Sequence, residues 1–122
     1  MVINSLVNEA GYSAEYLLDV IFAYYDAYPK QWIEDENGQI VYGSTTQEAK
    51  KALEHIHELY KKGIIDKDFI LRTTHNIVDE IVEGHCGSFF GPWWASNNPL
   101  VDAVKNDSSA SWKCYLIPTE DD

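Results

Sequence analysis

Histidines and carboxylates are the residues of this chain best able to bind a metal or move a proton. The four histidines are His55, His57, His75 and His85. His55 and His57 are two apart on a stretch with helical periodicity, so they point to opposite sides and cannot share one metal from that helix. His75 and His85 flank another helical stretch and form no ligand spacing with Cys86 or Cys114. No metal site is expected. Asp66, Asp68, Asp79, Glu80 and Glu83 crowd one region. A glycosidase needs two acids facing each other across a cleft, which spacing cannot show. Asp79, Glu80 and Glu83 fit the solvated side of a short helix. The chain has no Ser-centred elbow, phosphate loop or dinucleotide fingerprint, and residues 84–91 lack a phosphate-loop Lys. No cofactor is implied and no enzyme is expected.

Aromatic residues carry more information. Trp93 and Trp94 follow an apolar run at 86–90, read as a buried strand, and Gly91-Pro92, where Pro suits the first position of a helix. In open α/β sheets, ligands bind beyond the carboxyl ends of strands. A Trp placed there offers a flat apolar face, and nearby backbone N–H groups can meet hydroxyl oxygens. Sugars present that combination of apolar faces and polar edges. The competing reading is that both tryptophans fill the core. Trp112 enters a run read as a strand and is expected to pack.

Several elements must position these residues. Ser13 suits a helix N-cap and Glu15 a first turn, and residues 16–28 are apolar on nearly all sides until Pro29. Asn37-Gly38 lies between the β-prone runs 31–34 and 39–42, a hairpin signal because both residues tolerate positive φ. Thr45 and Glu48 fit a capping box. Ala49, Ala52, Leu53, Ile56, Leu59 and Tyr60 then form one helical stripe, with Gly63 as the C-cap. Asn76 is expected to cap a helix bearing Ile77, Val78, Ile81 and Val82, ended by Gly84. A Pro-led start at Asn98-Pro99 leads to a short helix, and residues 112–117 read as a closing strand. The stripe should pack on a sheet containing 86–90 and 112–117.

Composition narrows the function classes. The 122 residues suffice for one modest core. Nine Lys and Arg against 20 Asp and Glu give a formal net charge of -11. Such a surface repels nucleic-acid phosphates and anionic membranes. No run approaches the length of a membrane span, and residues 1–5 lack the basic start of a signal peptide. Cys86 and Cys114 are too few for a disulfide framework; they are expected to be reduced and near each other on neighbouring strands.

The run Glu83-Gly84-His85-Cys86-Gly87-Ser88-Phe89-Phe90-Gly91-Pro92-Trp93 resembles a segment of the sugar-type extracellular solute-binding proteins of ABC transporters, the superfamily of the maltose-binding proteins. Upstream, Asn37 to Gly43, Lys51-Ala52-Leu53 and Leu59 to Asp66 are similar to the same receptors, closest to a lipoprotein branch, as are Trp112 to Pro118. The likeness runs in order from about Trp32 to Pro118. It implies an α/β fold: a single fragment, 1–122, of the second lobe of a two-lobe binding protein, with helices on a small sheet and an additional β-hairpin. Residues 112–118 would begin a strand crossing between lobes.

By the same resemblance, Trp93 stacks on a sugar ring. Trp94 is a weaker candidate, because those members place their second Trp one residue later, where this chain has Ala95. The expected partners are a carbohydrate or other small solute and, through the whole receptor, the transporter's membrane permease. No nucleic acid and no direct membrane insertion are expected. The parent protein would be extracellular, at the cell surface or periplasmic. The alternatives are a protein-interaction module with an exposed aromatic patch, or a glycoside hydrolase fragment.

Overall fold

The computed structural model describes Met1 and residues 16–117. In chain order it contains α1 (Asp19–Tyr24), β1 (Trp32–Glu34), β2 (Ile40–Tyr42), α2 (Gln47–Lys61), α3 (Thr74–Val82) and α4 (Leu100–Asn106), with 3-10 turns at Gly43–Thr45 and Phe69–Leu71. The fold is therefore mixed helix and sheet, its sheet being the β1–β2 pair.

Three of the helices end in the same way. After α2, the Gly63 N–H donates to Tyr60 O at 2.9 Å and the Ile64 N–H to Leu59 O at 3.0 Å, with Gly63 at φ +70. After α3, Gly84 at φ +79 repeats the pattern, its own N–H going to Ile81 O and that of His85 to Glu80 O. Glycine suits this left-handed position because it has no Cβ to clash. After α1 the position is filled by Asp26 at φ 52, with Asp26 N–H to Ala23 O and Ala27 N–H to Phe22 O, both 3.0 Å. Asp tolerates the left-handed region better than most residues. The helix expected over 16–28 therefore stops at Tyr24, well before Pro29. Ser13 and Glu15 lie outside the described residues.

Helix starts also shift. Thr46, one residue after the expected cap, accepts from the Ala49 N–H at 3.2 Å, while the Thr45 hydroxyl donates to Tyr42 O. Asn76 does not cap α3; it is the third helical residue. Thr73 caps, and the two exchange bonds: Asn76 N–H to Thr73 Oγ1 at 3.3 Å and Thr73 N–H to Asn76 Oδ1 at 3.1 Å. The amide thereby does the job usually given to Glu or Gln.

The hairpin forms as the sequence suggests, in the register Trp32↔Tyr42, Ile33↔Val41, Glu34↔Ile40. Of Asn37 and Gly38, only Gly38 takes positive φ (+75). The Asp35 carboxylate accepts from the N–H groups of Asn37 and Gln39 at 2.9 and 2.8 Å, and Gly38 N–H donates to Asp35 O. At the base, Gly43 is buried, and its N–H meets Gln31 O at 2.7 Å. A Cβ on Gly43 would lie 2.0 Å from Tyr28 O, so only glycine lets these backbones approach.

Two apolar clusters form. In the first, Leu18 at the start of α1, Ile21 and Phe22 within it, and Ala27 after it meet Ala49, Ala52 and Ile56 of the α2 stripe and Ile65 of the following connector. Leu59 is half-buried and Leu53 and Tyr60 stay exposed, so the buried stripe is narrower than the sequence pattern. In the second, Ile77 and Ile81 of α3 meet Ala103 of α4, Cys86 and Tyr16. Residues 89–90 lie between the two: Phe90 packs on the first cluster and Phe89 on the second, the alternation of an extended chain. The Tyr16 N–H donates to Phe90 O at 3.1 Å.

The expected sheet of 86–90 and 112–117 is absent among the described residues; α2 packs on α1 instead. A strand is stabilised by a ladder, and an apolar run without one remains irregular. Cys86 turns its Sγ to Ser88 O at 3.0 Å, and residues 111–117 make no backbone hydrogen bond among the described residues. This removes the reason for placing the two cysteines together. Both are free, Cys86 buried and Cys114 exposed. Trp112 does pack, half-buried, with its ring 5.6 Å from that of Phe89.

Candidate functional site

Trp93 and Trp94 do not open a helix at a sheet edge. Residues 92–98 form successive turns: Ala95 N–H donates to Pro92 O at 3.0 Å, and the N–H groups of Asn97 and Asn98 both reach Trp94 O, at 2.8 and 3.2 Å. Leu100 N–H to Ala95 O then ties this loop to the start of α4, which is anchored in the second cluster by Ala103. On the other side, Gly91 sits so close to Phe89 that a Cβ would lie 2.6 Å from its ring. The loop is therefore held at both ends by the second cluster.

From this support the Trp93 side chain stands out, 88% exposed, while Trp94 is 39% exposed. Their ring centroids are 5.4 Å apart at an interplanar angle of 90°. The pair is an edge-to-face contact, a favoured aromatic geometry. Trp93 is thus not a core residue, and Trp94 contacts it from the side. The two together offer apolar faces beside the polar side chains of Ser96, Asn97 and Asn98, of which all three are exposed.

The acids are engaged by Arg72 and lie close to two histidines. Arg72, the chain's one arginine, places Nε 2.6 Å from Asp66 and Nη1 3.1 Å from Glu80, and each of the three side chains keeps a quarter or less of its surface exposed. Burial alone would raise the Asp66 pKa. The hydrogen bond and charge of Arg72 and the Asp68 N–H outweigh it, holding this carboxyl below the ordinary aspartate range. The Asp66 bond likewise raises the Arg72 pKa. His85 Nδ1 lies 3.4 Å from Glu80 and 3.5 Å from Glu83, and His75 lies 3.7 Å from Asp79. Glu80 is therefore more than a solvated helix residue: it joins α3 to the connector that carries Asp66. These contacts crosslink the structure.

His55 packs its ring 5.7 Å from Tyr25, and His57 lies on the outer side of α2, with Lys50, Leu53, Glu54 and Glu58, along a shallow depression open to solvent. No group of three or more His, Cys, Asp or Glu residues suited to a metal exists among the described residues. No helix among them is long and apolar enough to cross a membrane.

The aromatic face of the hairpin was not evident from the turn signal alone. Alternation along both strands puts Trp32, Glu34, Ile40 and Tyr42 on one side, and all four are exposed. Ile33 and Val41 face the other way and are half-buried. The signal that could have revealed this face is the period of two, Trp32 with Glu34 and Ile40 with Tyr42.

Comparison with protein-family models, curated proteins and solved structures finds no match to this chain.

Proposed function

We propose that the chain is a ligand-binding part of an extracellular solute receptor, the carbohydrate-binding component of an ABC importer, with Trp93 as its stacking platform. The observation that carries this reading is the indole of Trp93, 88% exposed on a loop bonded to the start of α4 at one end and pressed against Phe89 at the other. Leaving so large an apolar ring in water is costly, and a fixed ring beside exposed amide side chains suits a sugar face with hydroxyls at its rim. The ordered resemblance from Trp32 to Pro118 supports the receptor class. Under this reading the chain is a fragment of the second lobe, 112–118 begins an interlobe strand, and the permease is met through the whole receptor at the cell surface or in the periplasm. Trp94 braces Trp93 and has the lesser part in contact.

The test is a titration of the chain with maltotriose and a panel of monosaccharides, followed by the indole N–H resonances in two-dimensional NMR. The Trp93 signal, assigned by Trp93→Phe, should move, with affinity in the millimolar range or tighter, at least about 4 kcal/mol. Trp93→Ala should weaken binding by about 1–3 kcal/mol. Its cost in folding stability should stay well under the ~3–5 kcal/mol of a core Trp deletion. No movement of Trp93 with any sugar, or binding that survives its removal, would refute the stacking role.

A further inference from the structure

The hairpin carries a second surface, independent of Trp93. Its outer face presents Trp32 at 72%, Ile40 at 66% and Tyr42 at 36% exposure. The Trp32 and Tyr42 rings are cross-strand partners, centroids 5.2 Å apart and tilted by 48°. Isolated exposed apolar residues are ordinary, but a contiguous apolar patch on a fixed framework marks an interaction site. This framework is fixed at both ends. At the tip, the Asp35 carboxylate and the Gly38 N–H lock the turn. At the base, Gly43 is wedged against Tyr28 O, and the Lys30 N–H donates to Ser44 Oγ at 2.8 Å.

Charge identifies what this face would accept. No Lys or Arg lies between Lys30 and Lys50, whereas Glu34, Asp35, Glu36 and Glu48 do. Asp35 is engaged in the turn. Glu34, on the aromatic face itself, and Glu36, beside it at the tip, are exposed and make no ion pair among the described residues. Aromatic faces attract cations, Arg especially, and unpaired carboxylates beside them strengthen that preference. A second copy of this chain is a poor occupant, because it would bring the same acidic hairpin and a net charge of -11 to the contact.

We infer that the Trp32–Ile40–Tyr42 face is a docking surface for a basic segment of a protein partner, one that alternates Arg or Lys with aliphatic residues. A cationic side chain lies against the Trp32 ring within reach of Glu34, and aliphatic residues cover Ile40 and Tyr42.

The probe is a synthetic peptide of alternating Arg and Leu, titrated into the isotope-labelled chain. Two control peptides replace Arg by Glu or Leu by Ser. The Trp32 indole N–H and the amides of 32–42 should shift with the Arg-Leu peptide and not with the Glu-Leu one, while the Trp93 indole stays in place. Trp32→Ala should weaken binding about tenfold. Glu34→Gln and added salt should each weaken it further. Ile40→Lys, an exposed change that keeps the hairpin pairing, should abolish it, so the proposal remains testable if Trp32→Ala misfolds. Four outcomes would overturn the inference: no shift at Trp32, equal binding of the Glu-Leu peptide, salt-insensitive binding, or sedimentation showing a dimer that Ile40→Lys dissolves. Failure here leaves the sugar reading untouched, since that reading is scored on Trp93.

Discussion

Replacing Arg72 by Met should expose how the two apolar clusters are joined. The side chain keeps its aliphatic reach but loses contacts of 2.6 Å to Asp66 and 3.1 Å to Glu80. Exposed ion pairs contribute about 0.2–1 kcal/mol, and breaking a fully buried one costs about 3–5 kcal/mol. Three side chains with a quarter or less of their surface exposed lie between these limits. The substitution should therefore cost about 2 kcal/mol, near a 5–10 °C fall in Tm for a chain of this size. The control is Lys61→Met, which removes an exposed 3.4 Å pair with Glu58 and should cost under ~0.5 kcal/mol. The cost should also depend on pH. Asp66 has its pKa lowered by folding, so its share of stability is present above the unfolded-state value and is lost as pH falls through the folded one. Urea unfolding, read by circular dichroism, should thus show the two proteins apart at about pH 7 and converging below about pH 4. Equal stability at neutral pH, or a gap that stays constant into acid, would show that Arg72 is a surface residue without a joining role.

Two other substitutions test the local geometry. Gly43→Ala, with its Cβ 2.0 Å from Tyr28 O, should destabilise by about 1–3 kcal/mol or more, measured by thermal unfolding, and should broaden the amide resonances of the hairpin. Thr73→Ala removes one half of the exchange with Asn76 and should cost about 1 kcal/mol. Its hydrogen exchange should accelerate first at Asn76, the amide whose acceptor is lost.

Much of the local structure was legible, because it is written in short-range chemistry. Asn37-Gly38 between β-prone runs gave the hairpin, and the Ala49–Ile56 spacing gave α2 and its buried side. Glycines at 63 and 84 marked two helix ends. The third end carries no such mark, because Asp26 takes the glycine position and Asp is common in ordinary helices as well. The caps slipped for a related reason: Thr45 and Thr46 are chemically equivalent neighbours, and only the hydrogen bond to Ala49 distinguishes them. Beyond the hairpin, strand pairing was not legible. Whether 86–90 or 112–117 is a strand depends on a partner far along the chain, and no apolar run encodes its partner. The Trp93 loop inherited that error, because its expected place depended on the sheet. The Arg72 pairs were not legible either, because its two carboxylates lie six and eight residues away along the chain.

Exposed apolar surface is not equally informative wherever it occurs. Tyr115, Leu116 and Ile117 are all exposed, Leu116 at 95%. Among the described residues, they stand on a segment that no backbone hydrogen bond holds. Trp93 and Trp32 differ in this respect. The loop under Trp93 is bonded to α4 and pressed against Phe89, and the hairpin under Trp32 is locked at tip and base. Their entropy was lost when the chain folded, and a ligand meeting them need not supply it again. That difference, more than exposure, favours these two faces over 115–117 as recognition surfaces. It also orders the experiments: rigidifying substitutions near Trp93 or Trp32 should change affinity little. Loosening ones, such as Gly43→Ala beneath the hairpin, should weaken peptide binding even though no contact with the peptide is removed.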